Sequence, residues 1–447
     1  MLVTDHLTLN PTGSVFQPVG AGNYYLAPNS ACAFAGTTNI SPRLLAELRR
    51  KTTQPPIALP PLMQLEGELA LSPQARRYAG GPPDLGYYYD PLDYTVAWLA
   101  SWGRITILPG TAIGFRDEYS PALDDWTRWG FDLREGSIFV SQGTPTNPII
   151  FTDAQLVQEQ FQYACLASFV PDFWPTDAGA PPPSLDFRFS NFYASPTRYH
   201  LWSGYDEGFY YLLAPDSLMN WSMRDCNLHG GRINLGPPDD GNYGAPMDYF
   251  YGSGAVSWYN NLFENVSITL DPTYYWMIGA MNCDLSFQAA NNLFRDGDWF
   301  VLEPIPASAG NWALYDNLFD KVEFFQDTNQ FLAFDYNGYW PRTSSELRWS
   351  DDASQLLPTS AGTPAHEAVL GTPPLYQRGP LGDYYLPVTT PLYHVGSRPA
   401  TDAGLFHYTT RVDQTKEGSG QAVSVGLHYV AVTNGAPTDS DGDGIPD

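Results

Sequence analysis

The feature that most constrains the fold is a short motif that occurs three times in the second half of the chain. The segments "NNLFENVSITL", "NNLFRDGDWFVL" and "DNLFDKVEFF" begin at Asn260, Asn291 and Asp316, 31 and 25 residues apart. In each copy an asparagine (Asn261, Asn292, Asn317) precedes Leu-Phe (Phe263, Phe294, Phe319), and a strand-like run follows. Stacked copies would form a hydrogen-bonded ladder of Asn amides beside a buried column of Phe rings. The motif therefore predicts a chain that coils and stacks on itself.

Two earlier segments show what one turn of such a coil contains. "GRITILPGTAIGF" (Gly103 to Phe115) and "EGSIFVSQGTPTNPIIFTD" (Glu135 to Asp153) each consist of two short apolar strands around a sharp turn, with no helix between them. Strands of this kind suit turns that pair in parallel with the next turn. The pairing of "ILPGTAI" with "GTPTNPIIFT" resembles the right-handed parallel β-helix proteins of bacteria. That resemblance implies an all-β, pectate-lyase-like solenoid with terminal caps.

Composition agrees with a β fold. Aromatic residues make up 15% of the chain, and 40 glycines and 40 prolines indicate many turns. A β-propeller is the alternative fold, but intervals of 31 and 25 residues are too short for a four-stranded blade.

A longer repeat brackets the coil. "GNYYLAPNSACAFAG" (Gly22 to Gly36) aligns without gaps with "GDYYLPVTTPLYHVG" (Gly382 to Gly396), and "LGYYYDP" from Leu85 is a fainter copy. We read these segments as similar units at either end. After the first of them, "SPRLLAELRRK" predicts a short helix with Ser41 as N-cap, whose apolar face could cover the open end of the stack.

The predicted organisation has four parts. Residues 1–95 form an N-terminal cap, 96–345 the parallel β-helix, 346–436 a C-terminal flanking unit, and 437–447 the start of a calcium-binding linker repeat.

Charge limits the partners. The chain has 22 basic and 48 acidic residues, a formal net charge of −26. Such a chain repels the phosphate backbone of nucleic acid, so we expect no nucleic-acid partner. Calcium ions or neutral glycans suit its charge better.

No apolar run is long enough to span a membrane, and residues 1–20 lack the basic start and apolar run of a secretion signal.

The spacing of the four cysteines is not that of a metal site. We expect them to be buried thiols, and a disulfide between two of them is the alternative; the four are Cys32, Cys165, Cys226 and Cys283.

The last residues, "DSDGDGIPD", read as the opening of a calcium loop. Asp439, Asp441 and Asp443 occupy alternating ligand positions, Ile445 would offer its carbonyl, and Asp447 falls where a ligand often acts through water. The stretch resembles the thrombospondin type 3-like calcium repeats of large secreted bacterial proteins. "GLFHYTT" and "VGLHYVAV" stand just upstream, as in secreted β-helix proteins whose folded region passes into such a tail. The resemblance implies a secreted or cell-surface location and further domains in a longer parent chain.

Two functional hypotheses remain open. Parallel β-helices often carry polysaccharide lyases and glycosidases, and the best catalytic candidates are Asp239 and Asp240, with His229 one strand earlier. A turn carboxylate is the more common role for such residues. The other hypothesis is glycan binding without catalysis, on exposed rings that a sugar can stack against. The candidate rings are Trp126, Trp129, Tyr274, Tyr275, Trp276 and Trp340.

We therefore expect a non-catalytic structural or adhesive segment of an extracellular bacterial protein that recognises a glycan or a cell-surface component. A polysaccharide lyase or glycoside hydrolase is the alternative.

Overall fold

Three long, mostly parallel β-sheets dominate the molecule. The computed structural model describes residues 14–75, 81–120, 125–160, 165–171, 181–203, 219–235, 251–270, 282–301, 312–326, 333–346, 354–355 and 365–437. Sheet 1 has ten strands, sheet 2 nine and sheet 3 eleven. The chain visits the sheets in turn, so that most strands pair in parallel with the strand that follows three places later. This path is compatible with a parallel β-helix.

The elements follow one another in chain order. The first part contains β1 (Phe16–Val19), β2 (Gly22–Leu26), α1 (Pro42–Leu48), β3 (Ile57–Ala58), β4 (Met63–Leu65), β5 (Glu68–Leu71), β6 (Tyr94–Val96), β7 (Leu99–Ser101), β8 (Arg104–Ile107), β9 (Ala112–Phe115), β10 (Tyr119–Ser120), β11 (Asp125–Trp126), β12 (Trp129–Leu133), β13 (Ile138–Gln142) and β14 (Ile149–Asp153). The middle part contains β15 (Ala167–Pro171), β16 (Ser184–Arg188), β17 (Ser190–Tyr193), β18 (Tyr199–Ser203), β19 (Asn220–Arg224), β20 (Asn227–His229), β21 (Arg232–Leu235), β22 (Tyr251–Tyr259), β23 (Leu262–Glu264), β24 (Ser267–Leu270), β25 (Asn282–Ala290), β26 (Leu293–Arg295) and β27 (Asp298–Val301). The last part contains β28 (Trp312–Tyr315), β29 (Leu318–Asp320), β30 (Glu323–Gln326), β31 (Ala333–Asp335), β32 (Gly338–Trp340), β33 (Ser354–Gln355), β34 (Ala368–Val369), β35 (Tyr408–Thr409), β36 (Tyr429–Val430), β37 (Val432–Thr433) and β38 (Ala436–Pro437), and short 3₁₀ turns lie at Ala154–Leu156 and Ser344–Glu346.

Sheet 3 is the sheet that carries the candidate site. Its strands lie in the order β3-β6-β9-β14-β17-β20-β23-β26-β29-β32-β34. Sheet 1 has the order β33-β30-β27-β24-β21-β18-β15-β12-β7-β4, and sheet 2 has the order β31-β28-β25-β22-β19-β16-β13-β8-β5. The predicted pairing of the segments 104–115 and 138–153 is confirmed, because β8 pairs in parallel with β13 and β9 with β14. The parallel sheets extend beyond the predicted range of 96–345, since β3 to β5 precede it and β34 follows it. Parallel sheets of nine or more strands exclude the propeller alternative.

Two consecutive residues make each corner between sheet 2 and sheet 3. The first adopts positive φ (Asn260 55°, Asn291 57°, Asp316 60°), a conformation that Asn and Asp tolerate better than most residues. The second is the ladder asparagine. Asn261 donates from Nδ2 to Asn292 Oδ1 at 3.0 Å, and Asn292 to Asn317 Oδ1 at 2.9 Å. The "NN" and "DN" pairs of the motif therefore encode the corner.

The predicted ladder is confirmed, and the structure adds a fourth rung. Asn317 Nδ2 donates to Asn337 Oδ1 at 3.1 Å, and each Asn amide also donates to a backbone carbonyl. The buried Phe column is confirmed as well. Phe263, Phe294 and Phe319 stack at 4.6 and 5.0 Å, and Tyr339 continues the column at 5.3 Å. The hydrogen bonds of the ladder satisfy each of its Asn amides, and the ring column supplies the apolar core around them.

The prediction that the cysteines are buried thiols is confirmed for the three whose side chains are described. Cys32, Cys165 and Cys226 are buried and unpaired. Cys226 occupies the ladder position one turn before Asn261, whose Oδ1 accepts its backbone N–H at 2.9 Å. Cys283 lies in β25, which belongs to sheet 2, so its segment is not equivalent to the Cys226 turn. The Cys283 side chain lies outside the described part of the structure.

The short helix forms as predicted but does not bury a face. Ser41 Oγ accepts the Leu44 N–H at 3.1 Å, and Pro42 stands in the first turn. No residue of α1 is buried, and Leu44 is largely exposed. The helix therefore does not cover the end of the stack with its leucines.

The two terminal segments have matching hydrogen bonds. In the N-terminal unit (residues 14–56 and 81–93), Tyr25 stacks on Tyr89 at 4.2 Å; in the C-terminal unit (370–437), Tyr385 stacks on Tyr429 at 4.3 Å. Tyr89 and Tyr429 each accept a backbone N–H, from Tyr24 at 3.0 Å and Tyr384 at 3.3 Å.

The glycine ends of the two units also correspond. The Gly36 N–H donates to Pro83 O and the Gly396 N–H to Val423 O, both at 2.8 Å. The two units are thus duplicated structures, as the sequence repeat predicts.

Candidate functional site

The outer face of sheet 3 carries two parallel columns of side chains. In the first column Asn191 and Asn227 are followed in register by Leu262, Leu293 and Leu318; we name these residues the asparagine pair and the leucine column. The second, which we name the charged column, consists of Tyr193, His229, Glu264, Arg295, Asp320 and Trp340. Neighbouring members are one strand spacing apart, roughly 4.8 Å.

Ion pairs run along the charged column. His229 Nδ1 lies 3.0 Å from Glu264 Oε2, and Arg295 bridges Glu264 Oε1 at 2.8 Å and Asp320 Oδ2 at 3.3 Å. The contact with His229, with further help from Tyr384 and Arg295 and against the effect of burial, lowers the pKa of Glu264 to about 2. His229 also stacks on Tyr193 at 4.9 Å. Both carboxylates are therefore held by Arg295.

The C-terminal unit covers the later part of this face. Leu392, Val425 and Leu427 pack on the leucine column. The Tyr384 hydroxyl donates to Glu264 Oε1, and the Tyr376 hydroxyl donates to Asp320 Oδ2 at 2.9 Å. The apolar and the charged column are thus both contacted by one unit.

Corner side chains hold the same unit by its backbone. Asn260 accepts the His428 N–H at 2.7 Å and donates to the His428 carbonyl at 2.9 Å. Asn291 Nδ2 donates to the Ser424 carbonyl at 3.1 Å, and Asp316 Oδ1 accepts the Ser397 N–H at 2.6 Å. The first residue of each "NN" or "DN" pair, to which the sequence reading gave no role, therefore attaches the C-terminal unit.

A pocket of about 180 Å³ lies where this cover ends. Its floor holds the asparagine pair, in which Asn227 Nδ2 donates to Asn191 Oδ1 at 2.8 Å. Among the described residues, no group bonds the Asn191 amide N–H groups or the Asn227 side-chain oxygen. Pro145, Pro148, Phe189, Leu381 and Leu427 supply apolar walls. The pocket offers a donor and an acceptor side by side between apolar surfaces.

A saturated polar cluster forms another wall. Asp225 accepts from Asn260 Nδ2 at 2.7 Å and from the Tyr408 hydroxyl at 2.9 Å. Arg188 and Arg224 each approach Asp225 Oδ2 at 3.3 Å. Because its oxygens are already occupied, Asp225 fixes the wall rather than serving as a free acid or base.

The arrangement suits recognition of uncharged hydroxyl or amide groups. Such groups can accept from the Asn191 amide and donate to the Asn227 oxygen, while their carbon atoms contact the apolar walls. Glycosidase chemistry needs one carboxyl group that can protonate and a second that is free to act. Burial raises the pKa of Asp320, but Arg295 lies between Glu264 and Asp320 and pairs with both, so neither carboxylate is free to act.

Of the predicted catalytic residues, only His229 lies among the described residues. His229 lies in the charged column, paired with Glu264. Asp239 and Asp240 lie outside the described residues. Burial raises the pKa of the Cys165 and Cys226 thiols, which therefore are not poised as nucleophiles.

The predicted ring surface is divided between different parts of the fold. Trp126 is 42% exposed on the two-stranded hairpin β10–β11, where it contacts Tyr119. Trp129 is half-buried in sheet 1 and packs on Trp202 at 5.0 Å. Trp340 ends the charged column of sheet 3 and packs against the C-terminal unit. Tyr274, Tyr275 and Trp276 lie outside the described residues.

The predicted calcium ligands Asp439, Asp441, Asp443, Ile445 and Asp447 also lie outside the described residues. In the part of the chain that is described, no group of three or more His, Cys, Asp or Glu side chains is arranged to hold a metal ion.

Sequence reading missed the charged column and the asparagine pair, although a signal for both was present. The residue after Leu-Phe in the three motif copies is Glu264, Arg295 and Asp320. Aligning "SNFY" and "CNLH" with "NLFE" would have placed Asn191 and Asn227 in the leucine column, and His229 beside Glu264. Alternation of side chains along a strand puts all these residues on the outer face.

No protein-family model, curated protein or solved structure matches this chain. Function must therefore be inferred from the geometry of the site. None of the described helices has the length and apolar character needed to cross a membrane.

Proposed function

We propose that the chain is a non-catalytic structural and adhesive segment of an extracellular bacterial protein, built as a right-handed parallel β-helix of the pectate-lyase type. Three long parallel sheets that the chain visits in turn support the helix. The right hand follows from the strong preference of parallel β crossovers for that sense. The buried ladder and ring column support a rigid scaffold.

Under this proposal the adhesive site is the asparagine pocket, and its ligand is a neutral glycan. The observation that carries the proposal is the Asn191 donor beside the Asn227 acceptor, neither of which is paired with any described residue. Sugar hydroxyls both donate and accept, and the C–H face of a sugar ring suits the proline and leucine walls. A net charge of −26 disfavours acidic polysaccharides.

Catalysis remains the alternative function, as a polysaccharide lyase or glycoside hydrolase centred on Asp239 and Asp240. The fixed ion pairs of Glu264 and Asp320 favour binding over bond cleavage.

The setting belongs to the same proposal. We propose a secreted or cell-surface location, and Ca²⁺ binding by the C-terminal "DSDGDGIPD" segment as it passes into further domains of a parent chain. The alternating aspartates and the acidic composition support this assignment.

The test is retention of the protein on a panel of neutral and acidic polysaccharides, compared with an Asn227→Leu variant. Leucine is the residue that the next strand uses at this position, so the strand should tolerate it. We expect about a tenfold or greater loss of affinity for a neutral glycan, because one acceptor and one paired amide are removed. Asn220→Leu, an exposed position in sheet 2, is the matched control and should bind as the native chain does.

The same samples distinguish the alternatives. New reducing ends or unsaturated products would establish the enzyme hypothesis. Equal retention of native protein and Asn227→Leu would contradict the pocket as the binding site, and no retention on any neutral polysaccharide would contradict glycan adhesion altogether.

A further inference from the structure

The C-terminal unit shows what one face of the duplicated structure binds. Val425 and Leu427, 1% and 6% exposed, pack on the leucine column, while the Tyr384 hydroxyl donates to Glu264 in the charged column. This face, which we name the sheet-binding face, therefore contacts an outward row of leucines beside an outward row of charges.

The N-terminal unit exposes the same face. The Leu85 N–H donates to the Cys32 carbonyl and the Val425 N–H to the Leu392 carbonyl, so "LGYYYDP" corresponds to "VGLHYVA" and is not a further copy of "GNYYL". The equivalent pairs are therefore Tyr24 and Tyr384, Leu85 and Val425, and Tyr87 and Leu427. Their N-terminal members are 47%, 38% and 52% exposed, and the Tyr24 and Tyr87 rings lie 6.1 Å apart. Exposed apolar groups gathered in this way commonly mark an interaction site.

A second segment of each unit shows the same difference in exposure. In the C-terminal unit, Ala400, Ala403 and Leu405 pack with Phe189 and Tyr259 of the coil. At the corresponding place in the N-terminal unit lies α1, which has no buried residue. These parts of the N-terminal unit are thus exposed where their duplicates are covered, whereas Cys32 and its counterpart Leu392 are both buried.

We propose that the exposed face formed by Tyr24, Leu85 and Tyr87 binds the outer face of a second parallel β-sheet, one that carries a column of leucines beside a column of charged side chains. Tyr24 supplies a hydroxyl at the position from which Tyr384 donates to Glu264. Leu85 and Tyr87 supply the apolar contact that Val425 and Leu427 make. The expected partner surface has the chemistry of sheet 3, because sheet 3 is the surface that the duplicate unit binds in this molecule.

The unit attaches to its own coil through other groups, so the face is available. Gln158 accepts the Ala21 N–H at 2.8 Å and donates to the Tyr25 hydroxyl at 3.0 Å. Glu159 accepts from the Tyr89 hydroxyl at 2.7 Å and from the Asn23 N–H at 2.6 Å. These contacts do not use Tyr24, Leu85 or Tyr87 side chains. The proposal is also independent of the asparagine pocket, which none of the three residues lines.

The experiment uses the full chain and makes sheet 3 available as the partner. Val425→Asp combined with Leu427→Asp should release the C-terminal unit from the leucine column. We expect this release variant to associate, with a mass at least twice that of the native chain by sedimentation velocity, because the exposed face of one copy binds the uncovered sheet of another. Adding Tyr24→Asp and Tyr87→Asp should weaken that association by about tenfold or more.

A matched control and a second readout guard against misfolding. Ile138→Asp, which alters an exposed residue on sheet 2, should leave the association of the release variant unchanged. A benzophenone side chain at position 24 should cross-link to the strands that contain Leu262, Leu293 or Leu318. Hydrogen exchange of the sheet 3 strands reports whether the coil stays folded, and Leu427→Ala replaces the aspartate pair if it does not.

Three results would overturn the proposal. The first is a release variant that remains monomeric with its coil folded, and the second is association that persists unchanged after Tyr24→Asp and Tyr87→Asp. The third is cross-linking directed to another surface.

Discussion

The two terminal units have the same local structure but different surroundings. Each stacks a pair of tyrosines, closes on a glycine N–H and places one residue at φ 57°, Phe34 in the first unit and His394 in the second. The C-terminal unit lies on the leucine and charged columns of sheet 3, whereas the N-terminal unit leaves the equivalent face exposed. Local hydrogen bonds therefore set the shape of the unit, and its neighbours decide which face becomes core.

The largest expected difference is between Leu427→Ala and Tyr87→Ala, which truncate equivalent positions. Leu427→Ala should lower the free energy of unfolding by about 3 kcal/mol, because it leaves a cavity against the leucine column. Tyr87→Ala should change it by less than about 0.5 kcal/mol, since the side chain is largely solvated. Urea titrations of the full chain measure both values, and similar losses for the two variants would contradict the comparison.

Acid should destabilise the fold through Glu264, whose ionised carboxylate is held first by His229 of the same column and then by Tyr384 of the C-terminal unit. Its pKa of about 2 lies below the ordinary value of 4.5, so the stabilisation is fully present above about pH 4.5 and is lost as the pH falls toward 2. The full effect is up to about 3 kcal/mol. In Glu264→Gln the pH dependence between 4.5 and 2 should flatten, as followed by urea unfolding at several pH values. Tyr384→Phe serves as the partner control, and an unchanged slope in Glu264→Gln would refute this assignment.

Alanine substitutions at two equivalent glycines of the units should differ less in their effect on stability. Gly426 and Gly86 both have positive φ, at 97° and 148°. A Cβ on Gly426 would lie 3.0 Å from Leu318 Cβ, whereas on Gly86 the nearest atom, Leu26 Cδ2, is 3.5 Å away. Both alanine variants should be strained, by about 1–3 kcal/mol, with Gly426→Ala the more destabilised. Thermal unfolding of the two variants side by side checks the order, and a larger loss for Gly86→Ala would reverse our interpretation.

The smallest expected effect distinguishes how each unit uses its buried tyrosine. Tyr89→Phe removes a hydroxyl that donates to Glu159 and accepts the Tyr24 N–H, so it should cost about 1–2 kcal/mol. Tyr429→Phe removes one longer acceptor contact, at 3.3 Å, and should cost about 1 kcal/mol or less. Amide hydrogen exchange at Tyr24 and Tyr384, whose N–H groups lose their acceptors in the two variants, reports each unit separately. A larger acceleration at Tyr384 in Tyr429→Phe than at Tyr24 in Tyr89→Phe would argue against the assignment.

Much of the scaffold could be read from particular residues. Asn261, Asn292 and Asn317 predicted the ladder, and Phe263, Phe294 and Phe319 predicted the ring column, because a repeat that stacks must place identical groups one above the other. Ser41 predicted the start of α1 through its side-chain cap. The helix cap is local in sequence, whereas the two columns follow from the repeat, since their members occupy equivalent positions in the motif copies.

The candidate site was read less well. His229 was singled out as a catalytic candidate, but its partner Glu264 lies 35 residues later and became visible only when the strands were placed in register. Asn191 and Asn227 were not predicted as site residues, because a single asparagine on a strand is not distinctive. They stand out only once the strand register shows that covered leucines occupy the same position in the next strands. Trp340 was predicted as a platform for a sugar ring, and its packing against the C-terminal unit could not be read from the sequence.

The sequence by itself determined the parallel pairing of short strands, the buried columns between them and the correspondence of the two duplicated units, since these depend on hydrogen bonds and ring stacking between residues that the repeats align. Only the tertiary structure decided that the C-terminal unit lies on the leucine column, that the pocket opens beside Asn191 and Asn227, and that Tyr24, Leu85 and Tyr87 remain exposed. The reason is that burial is a property of pairs of surfaces, and the second surface is supplied by strands far away in the chain.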